Sequence, residues 1–292
     1  MRAFKSPRSI LITLGVCLIA ILFICLSTLP SMVWGAMTGL QAHEKYIYPI
    51  VRVSTSDGTG SGSIIFSDPG IGDVYSTYIL TNYHVIANAV SISEEWDSDL
   101  GKNIKKEKRA IVYVEIFKYR DISTPIGTMR VEADIVIYNK DEDVALLKLR
   151  TEDESKYVAH LLRNPPKVQV MDESVAVGCS LGFPPLPSVG VITRLNFQID
   201  SLPYHMSCSQ IIYGNSGGAI FLAETGELIG IPSRVVAIGW SAVIPHMGLF
   251  IPINRVYTWL AEQHYDFIYD SSKVEAQCLD EREKEIEAKK DK

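Results

Sequence analysis

The feature that most constrains this chain is a series of short segments rich in Val, Ile and Tyr, separated by clusters of Gly, Pro, Asn and Asp. They fall at residues 50–54, 62–66, 78–81, 110–119, 133–138, 144–149, 174–177, 190–194, 219–222, 228–232 and 248–253. Many short strands without helices between them predict an all-β fold, an antiparallel barrel or sandwich. Two segments read as helical. One is a short turn after His84; the other is 253–265, where Asn254 can cap and Val256, Trp259 and Leu260 share a face. Of 292 residues, 47% are hydrophobic and 21% charged, so a large core is available and wholesale disorder is excluded.

The N-terminus is of another kind. No charge occurs from Ser9 through Ala42, and residues 10–29 read ILITLGVCLIAILFICLSTL. About 20 helical residues span a bilayer core. The apolar part of a secretory signal is shorter, about 7–15 residues, although Val33-Trp34-Gly35 offers small residues for cleavage. The expectation is a basic segment 1–9, a transmembrane helix or signal anchor over 10–34, and a linker 35–46. Arg2, Lys5 and Arg8 favour a cytoplasmic N-terminus, with the rest extracytoplasmic, in a periplasm or outside the cell. The folded domain is expected over 47–265. Residues 266–292 read as a charged, solvated, partly helical tail, against a docking helix, with Asp280/Lys284 and Glu285/Lys289 at i,i+4. The charged stretch 94–109 reads as a surface insertion between strands.

Formal net charge is −6, and the basic N-terminus leaves the body more acidic still, which argues against nucleic acid as a partner. No CxxC or Cys/His cluster has zinc spacing, so neither metal nor cofactor is expected. Cys179 and Cys208 are the only cysteines of the body, Cys17 and Cys25 lying before it and Cys278 after. In an oxidising compartment they are a candidate disulfide, against two separately buried thiols.

Chemistry concentrates in three places. Tyr213-Gly214-Asn215-Ser216-Gly217-Gly218-Ala219 puts a serine among small residues, where N–H groups can point into one concavity and a substrate backbone can approach. Thr81-Asn82-Tyr83-His84-Val85-Ile86 puts a histidine at the end of an apolar strand, facing a cleft as a base. Asp143 directly precedes the apolar run Val144–Leu149, at the rim of a core, with Asp141 and Glu142 as nearby decoys. The chain order His84, Asp143, Ser216 is that of the chymotrypsin-type triad, not of subtilisins or α/β-hydrolases.

On these segments, with Gly58-Thr59-Gly60-Ser61-Gly62, Gly226-Glu227-Leu228-Ile229-Gly230 and 248–252, the sequence resembles trypsin-like serine peptidases, and among them the HtrA/Deg branch. The resemblance spans about 50–260 and implies two six-stranded antiparallel β-barrels with an active site between them. It implies His84, Asp143 and Ser216 as catalytic residues and the N–H groups of Gly214 and Ser216 as oxyanion hole. It places Gln210 at the base of the primary pocket, uncharged and so against strict Lys/Arg preference, with Gly248, Leu249 and Phe250 as a wall. Two departures stand out: Tyr213 replaces a common proline, and no PDZ domain is expected after residue 265. The expected activity is a serine endopeptidase acting on a protein or peptide and tethered by the N-terminal helix. The rivals are a catalytically silent protease-fold binding module, an esterase, which more often carries GxSxG on an α/β fold, and a tethered signalling protease with one dedicated substrate.

Overall fold

A computed structural model describes residues 37–70, 74–98, 101–163, 168–238 and 242–290, which belong to one compact unit, Ala36–Lys292. The apolar segment 10–34 lies outside the described residues. Among the described residues no helix is long and apolar enough to cross a membrane.

The chain enters on helix α1 (Gly39–Ala42), which runs on as a π-helical turn, His43–Ile47. Strands β1 (Ile50–Ser54), β2 (Thr59–Pro69) and β3 (Tyr75–Thr81) lead to helix α2 (Tyr83–Ile86). A hairpin, β4 (Val90–Asp97) and β5 (Lys102–Arg109), stands apart as its own two-stranded sheet. Strands β6 (Val112–Tyr119), β7 (Pro125–Asn139) and β8 (Val144–Leu149) then close a barrel in the order β1-β2-β3-β8-β7-β6. The second half adds β9 (Glu173–Gly178), β10 (Leu186–Ile199), β11 (Leu202–Ser207), β12 (Ala219–Leu222), β13 (Leu228–Ile238) and β14 (Ala242–Pro252). These close a second barrel in the order β10-β11-β14-β13-β12-β9. Helices α3 (Ile253–Glu262) and α4 (Glu275–Lys290) follow.

Period-two alternation explains why the strands that lead to the site look apolar throughout. Ile79 on β3 and Ala145 and Leu147 on β8 fill the first barrel together with Val51, Val53 and Ile64. Tyr78 and Leu80, and Val144 and Leu146, point the other way into a larger core shared with Val177, Phe221, Ile231 and Val256. Both faces of these strands are therefore largely buried, and Lys148 alone breaks the apolar runs 78–80 and 144–149.

The structure adds to the expected elements and corrects one of them. The surface insertion expected at 94–109 is part of an ordered hairpin, β4 and β5 pairing in unbroken register from Val90↔Arg109 to Asp97↔Lys102. Strand β11 was not expected, since Pro203 and His205 interrupt its apolar pattern; it joins β10 to β14 and completes the second barrel. The body also runs past residue 265. Phe267, Ile268 and Cys278 are buried, and Glu275 Oε1 accepts from Tyr78 Oη (2.6 Å) and Lys148 Nζ (2.9 Å). Beyond 270 the segment is mostly charged, and a polar anchor such as Glu275 carries no hydrophobic signal.

Candidate active site

Strands β3 and β8 pair antiparallel, Thr81 opposite Ala145. His84 lies just past the end of β3 and Asp143 just before the start of β8, so the register delivers both to one end of the first barrel. His84 Nδ1 lies 3.0 and 2.9 Å from the two oxygens of Asp143, and the His84 backbone N–H donates to Oδ1 at 3.0 Å. A carboxylate only accepts, so Nδ1 carries the proton and Nε2 is left as the basic nitrogen. The imidazole side chain is 47% exposed and the carboxylate 14%.

Asp143 is held from several directions. Its φ of 54° is left-handed, a conformation that non-glycine residues adopt at a cost. Asn82 Nδ2 donates to its carbonyl (2.8 Å) and Ser233 Oγ to its Oδ2 (2.6 Å). Before it, Asn139 Oδ1 accepts from the N–H groups of Asp141 (2.9 Å) and Glu142 (3.1 Å), fixing the turn.

The Ser216 loop is set by glycines and by β2. The Gly214 φ is +96°, and a Cβ there would meet Cys179 O at 2.4 Å; the Gly217 φ is +83°, with Ser61 O at 2.2 Å. Ser61 stitches the loop across the two barrels: its N–H donates to Ser216 O (2.8 Å) and its Oγ to Gly214 O (2.6 Å), while its Oγ accepts from Cys179 N (2.7 Å). The N–H groups of Asn215, Gly217 and Gly218 donate to Ile212 O, Pro232 O and Asn215 O. Among the described residues those of Gly214 and Ser216 have no partner, so two donors stand free on either side of Asn215. Ser216 and the His84 turn meet across Gly60, whose Cβ position is 2.7 Å from Val85 Cγ2 and 3.1 Å from Ser216 O. Among the described residues no hydrogen bond joins Ser216 Oγ to His84.

Around the residues expected to shape a primary pocket the structure shows the following, and it leaves the expected disulfide open. Gln210 is exposed, and its N–H donates to Ser188 Oγ (2.7 Å). Leu249 and Phe250 are buried in the second barrel's core with Val256 and Leu260, because β14 runs between β11 and β13. Gly248 is covered by Ile211, whose Cδ1 lies 2.3 Å from the Gly248 Cβ position. Cys179 and Cys208 are free thiols. Cys179 follows Gly178, opposite Leu186, whereas Cys208 follows Ser207, opposite Ile192. Six residues of β10 separate them, about 20 Å of strand, far beyond disulfide reach. Burial pushes the Cys179 thiol up to about 12.

Sequence reasoning missed Ser233, Ser61 and Arg52. Arg52 on β1 donates to Gly182 O and Glu115, tying loop 179–183 to the first barrel. That loop backs Gly214, Leu181 N donating to Tyr213 O (2.8 Å), and it leaves Leu181, Phe183 and Tyr213 exposed beside it. Only for Ser61 did the sequence hold a signal, the Gly58–Gly62 run.

Known proteins share this architecture. The chain is 29% identical over 215 residues to the periplasmic pH-dependent serine endoprotease DegQ of Escherichia coli (strain K12), covering 72% of this chain and 38% of that protein. It is 28% identical to the serine protease Do-like HtrA of Lactococcus lactis subsp. cremoris (strain MG1363), covering 69% and 43%. It therefore spans less than half the length of either relative. A solved structure, the HtrA-type protease AlgW with tripeptide, shares the fold at a TM-score of 0.55 and 19% identity, over 79% of this chain and 64% of that one. The profile of the trypsin-like peptidase domain matches residues 60–231, from the strand that carries Ser61 through the Ser216 loop to β13, and by that match the chain belongs to the trypsin-like peptidase family.

Proposed function

We propose that the protein is a serine endopeptidase, anchored by its N-terminal apolar segment, that hydrolyses peptide bonds through His84, Asp143 and Ser216. The observation that carries this reading is the pairing of His84 Nδ1 with Asp143 next to a serine loop whose free N–H groups are those of Gly214 and Ser216. Ser216 Oγ attacks the carbonyl as His84 Nε2 takes its proton. Asp143 fixes the tautomer and stabilises the imidazolium. The Gly214 and Ser216 N–H groups receive the oxyanion. His84 returns the proton to the leaving amine, and water, activated by the same imidazole, clears the acyl-enzyme. The substrate would lie extended along a strand edge beside the site. The anchor rests on the uncharged run 10–29 behind three basic residues, and places the domain outside the cytoplasm.

The open leg between Ser216 and His84 favours a second reading, a silent binding module. Catalytic hydrogen bonds often close only around substrate, so the leg does not decide. Reaction with a serine-directed fluorophosphonate does: labelling of Ser216 supports the peptidase, and none under any condition supports the module. Cleavage-site mass spectrometry on a denatured proteome, wild type against Ser216→Ala, then reads the substrate class.

A further inference from the structure

Glu142, beside the catalytic carboxylate, is not a free surface acid. Arg255 on α3 sends Nε to Glu142 Oε2 at 2.7 Å, and its Nη2 reaches the same oxygen. The third arm, Nη1, donates to Pro203 O at 3.1 Å, and the guanidinium lies 5.1 Å from the Tyr204 ring centroid. The Arg255 side chain is 10% exposed. A planar cation with hydrogen bonds from three nitrogens and one face against a ring holds one geometry, which a flexible ammonium would not.

Glu142 is peptide-bonded to Asp143, the residue held at φ 54°. Asn139 fixes the turn from one side; Arg255 fixes it from the other, 113 residues away and from beyond the second barrel. We infer that Arg255, acting through Glu142, is a positioning residue that locks the Asp143 turn against the second half of the protein and so orients the imidazole of His84. The inference rests on the triad reading above, but it concerns a group that touches neither substrate nor the reacting atoms. Small displacements of a catalytic group are enough to matter, about 1 Å costing about 10²-fold in rate.

The test uses the full-length protein, with the second-order rate of fluorophosphonate labelling at Ser216 and the downfield proton resonance of His84 Nδ1–H as readouts. Arg255→Met should slow labelling by about 10²-fold and move or broaden the resonance. Arg255→Lys, which keeps the charge and loses the fork, should recover part of both. Glu142→Gln, which keeps an acceptor, should lose about tenfold, and adding it to Arg255→Met should cost little more, because the two act as one unit. A folded Arg255→Met that labels at the wild-type rate with an unmoved resonance overturns the inference. So does a variant that loses thermal stability while the resonance stays put, since that marks a purely structural tie. Losing a buried partner can prevent folding; in that event Arg255→Lys and Glu142→Gln carry the same two readouts. If even wild type fails to label, the peptidase reading falls, and the resonance alone decides about Arg255.

Discussion

Ser216, His84 and Asp143 are worth different amounts when removed, and the differences follow from their bonds. Ser216→Ala and His84→Ala should each lower kcat by several orders of magnitude, and the double mutant should be little worse than either, because the two act as a unit. Asp143→Asn presents a donor where His84 Nδ1–H needs an acceptor, and a loss of about 10⁴-fold is expected. Ser233→Ala removes one of several donors to Asp143, so about tenfold is expected, the scale of one hydrogen bond to a charged group. Peptide hydrolysis by purified variants checks all four, with Asp141→Asn and His205→Ala as near-silent controls. Native thiol alkylation at pH 8 should modify Cys208 and spare Cys179, which burial keeps protonated, whereas alkylation of a separate sample under denaturing, non-reducing conditions should modify both. The pairing of His84 with Asp143 was legible because each sits in a short local motif with a distinctive composition. Ser233 and Arg255 were not, because their partners lie far along the chain.

Strands were legible where alternation or an apolar run survives, and β1, β8 and β12 fall where expected. They were lost where polar residues satisfy the backbone ladder without an apolar face, as in β5 (KNIKKEKR), or where proline and histidine mask a strand, as in β11. The docking of helix α4 was hard to read for a related reason: of its side chains only Cys278 and Leu279 join the core, and its other tie is polar. Tyr78 and Lys148 are cross-strand partners on the very strands that lead to His84 and Asp143, and Glu275 receives a hydrogen bond from each. Glu275→Ala would leave a buried tyrosine hydroxyl without its acceptor, so a loss of about 1–3 kcal/mol in urea denaturation is expected, with a smaller loss for Glu275→Gln. Further along α4, Lys289 and then His264 hold the Glu285 carboxyl down to about 2. A lowered folded value means that this support is complete above the ordinary carboxylate range and fades as pH falls through that range toward 2. The pair is exposed and salt-screened, so the loss should show as fraying of α4 in circular dichroism before global unfolding, and 1 M salt should weaken it.

The two barrels meet over a continuous core that includes Tyr78, Leu80 and Leu146 from the first and Val177, Phe221 and Ile231 from the second. The site lies on that seam: His84 and Asp143 come from one barrel, Ser216 and Ser233 from the other, and Ser61 and Arg255 cross between them. Catalytic geometry and global stability are thus coupled. In whole-cell terms the deciding question is the side of the membrane on which this body sits. The run 10–29 is uncharged and long enough to span, and the bases ahead of it, Arg2, Lys5 and Arg8, oppose translocation of the N-terminus. The body should therefore be digested by protease added to intact spheroplasts or outward-facing vesicles, and it should sediment with membranes through high salt and alkaline carbonate. N-terminal sequencing of the mature protein separates the two ways of reaching that compartment. A blocked or intact Met1 end marks an uncleaved anchor, whereas a start near Ala36 marks a signal peptide and a released body. Full protection of the body in sealed cells would overturn the topology, and the catalytic reading would then have to find its substrate in the cytoplasm.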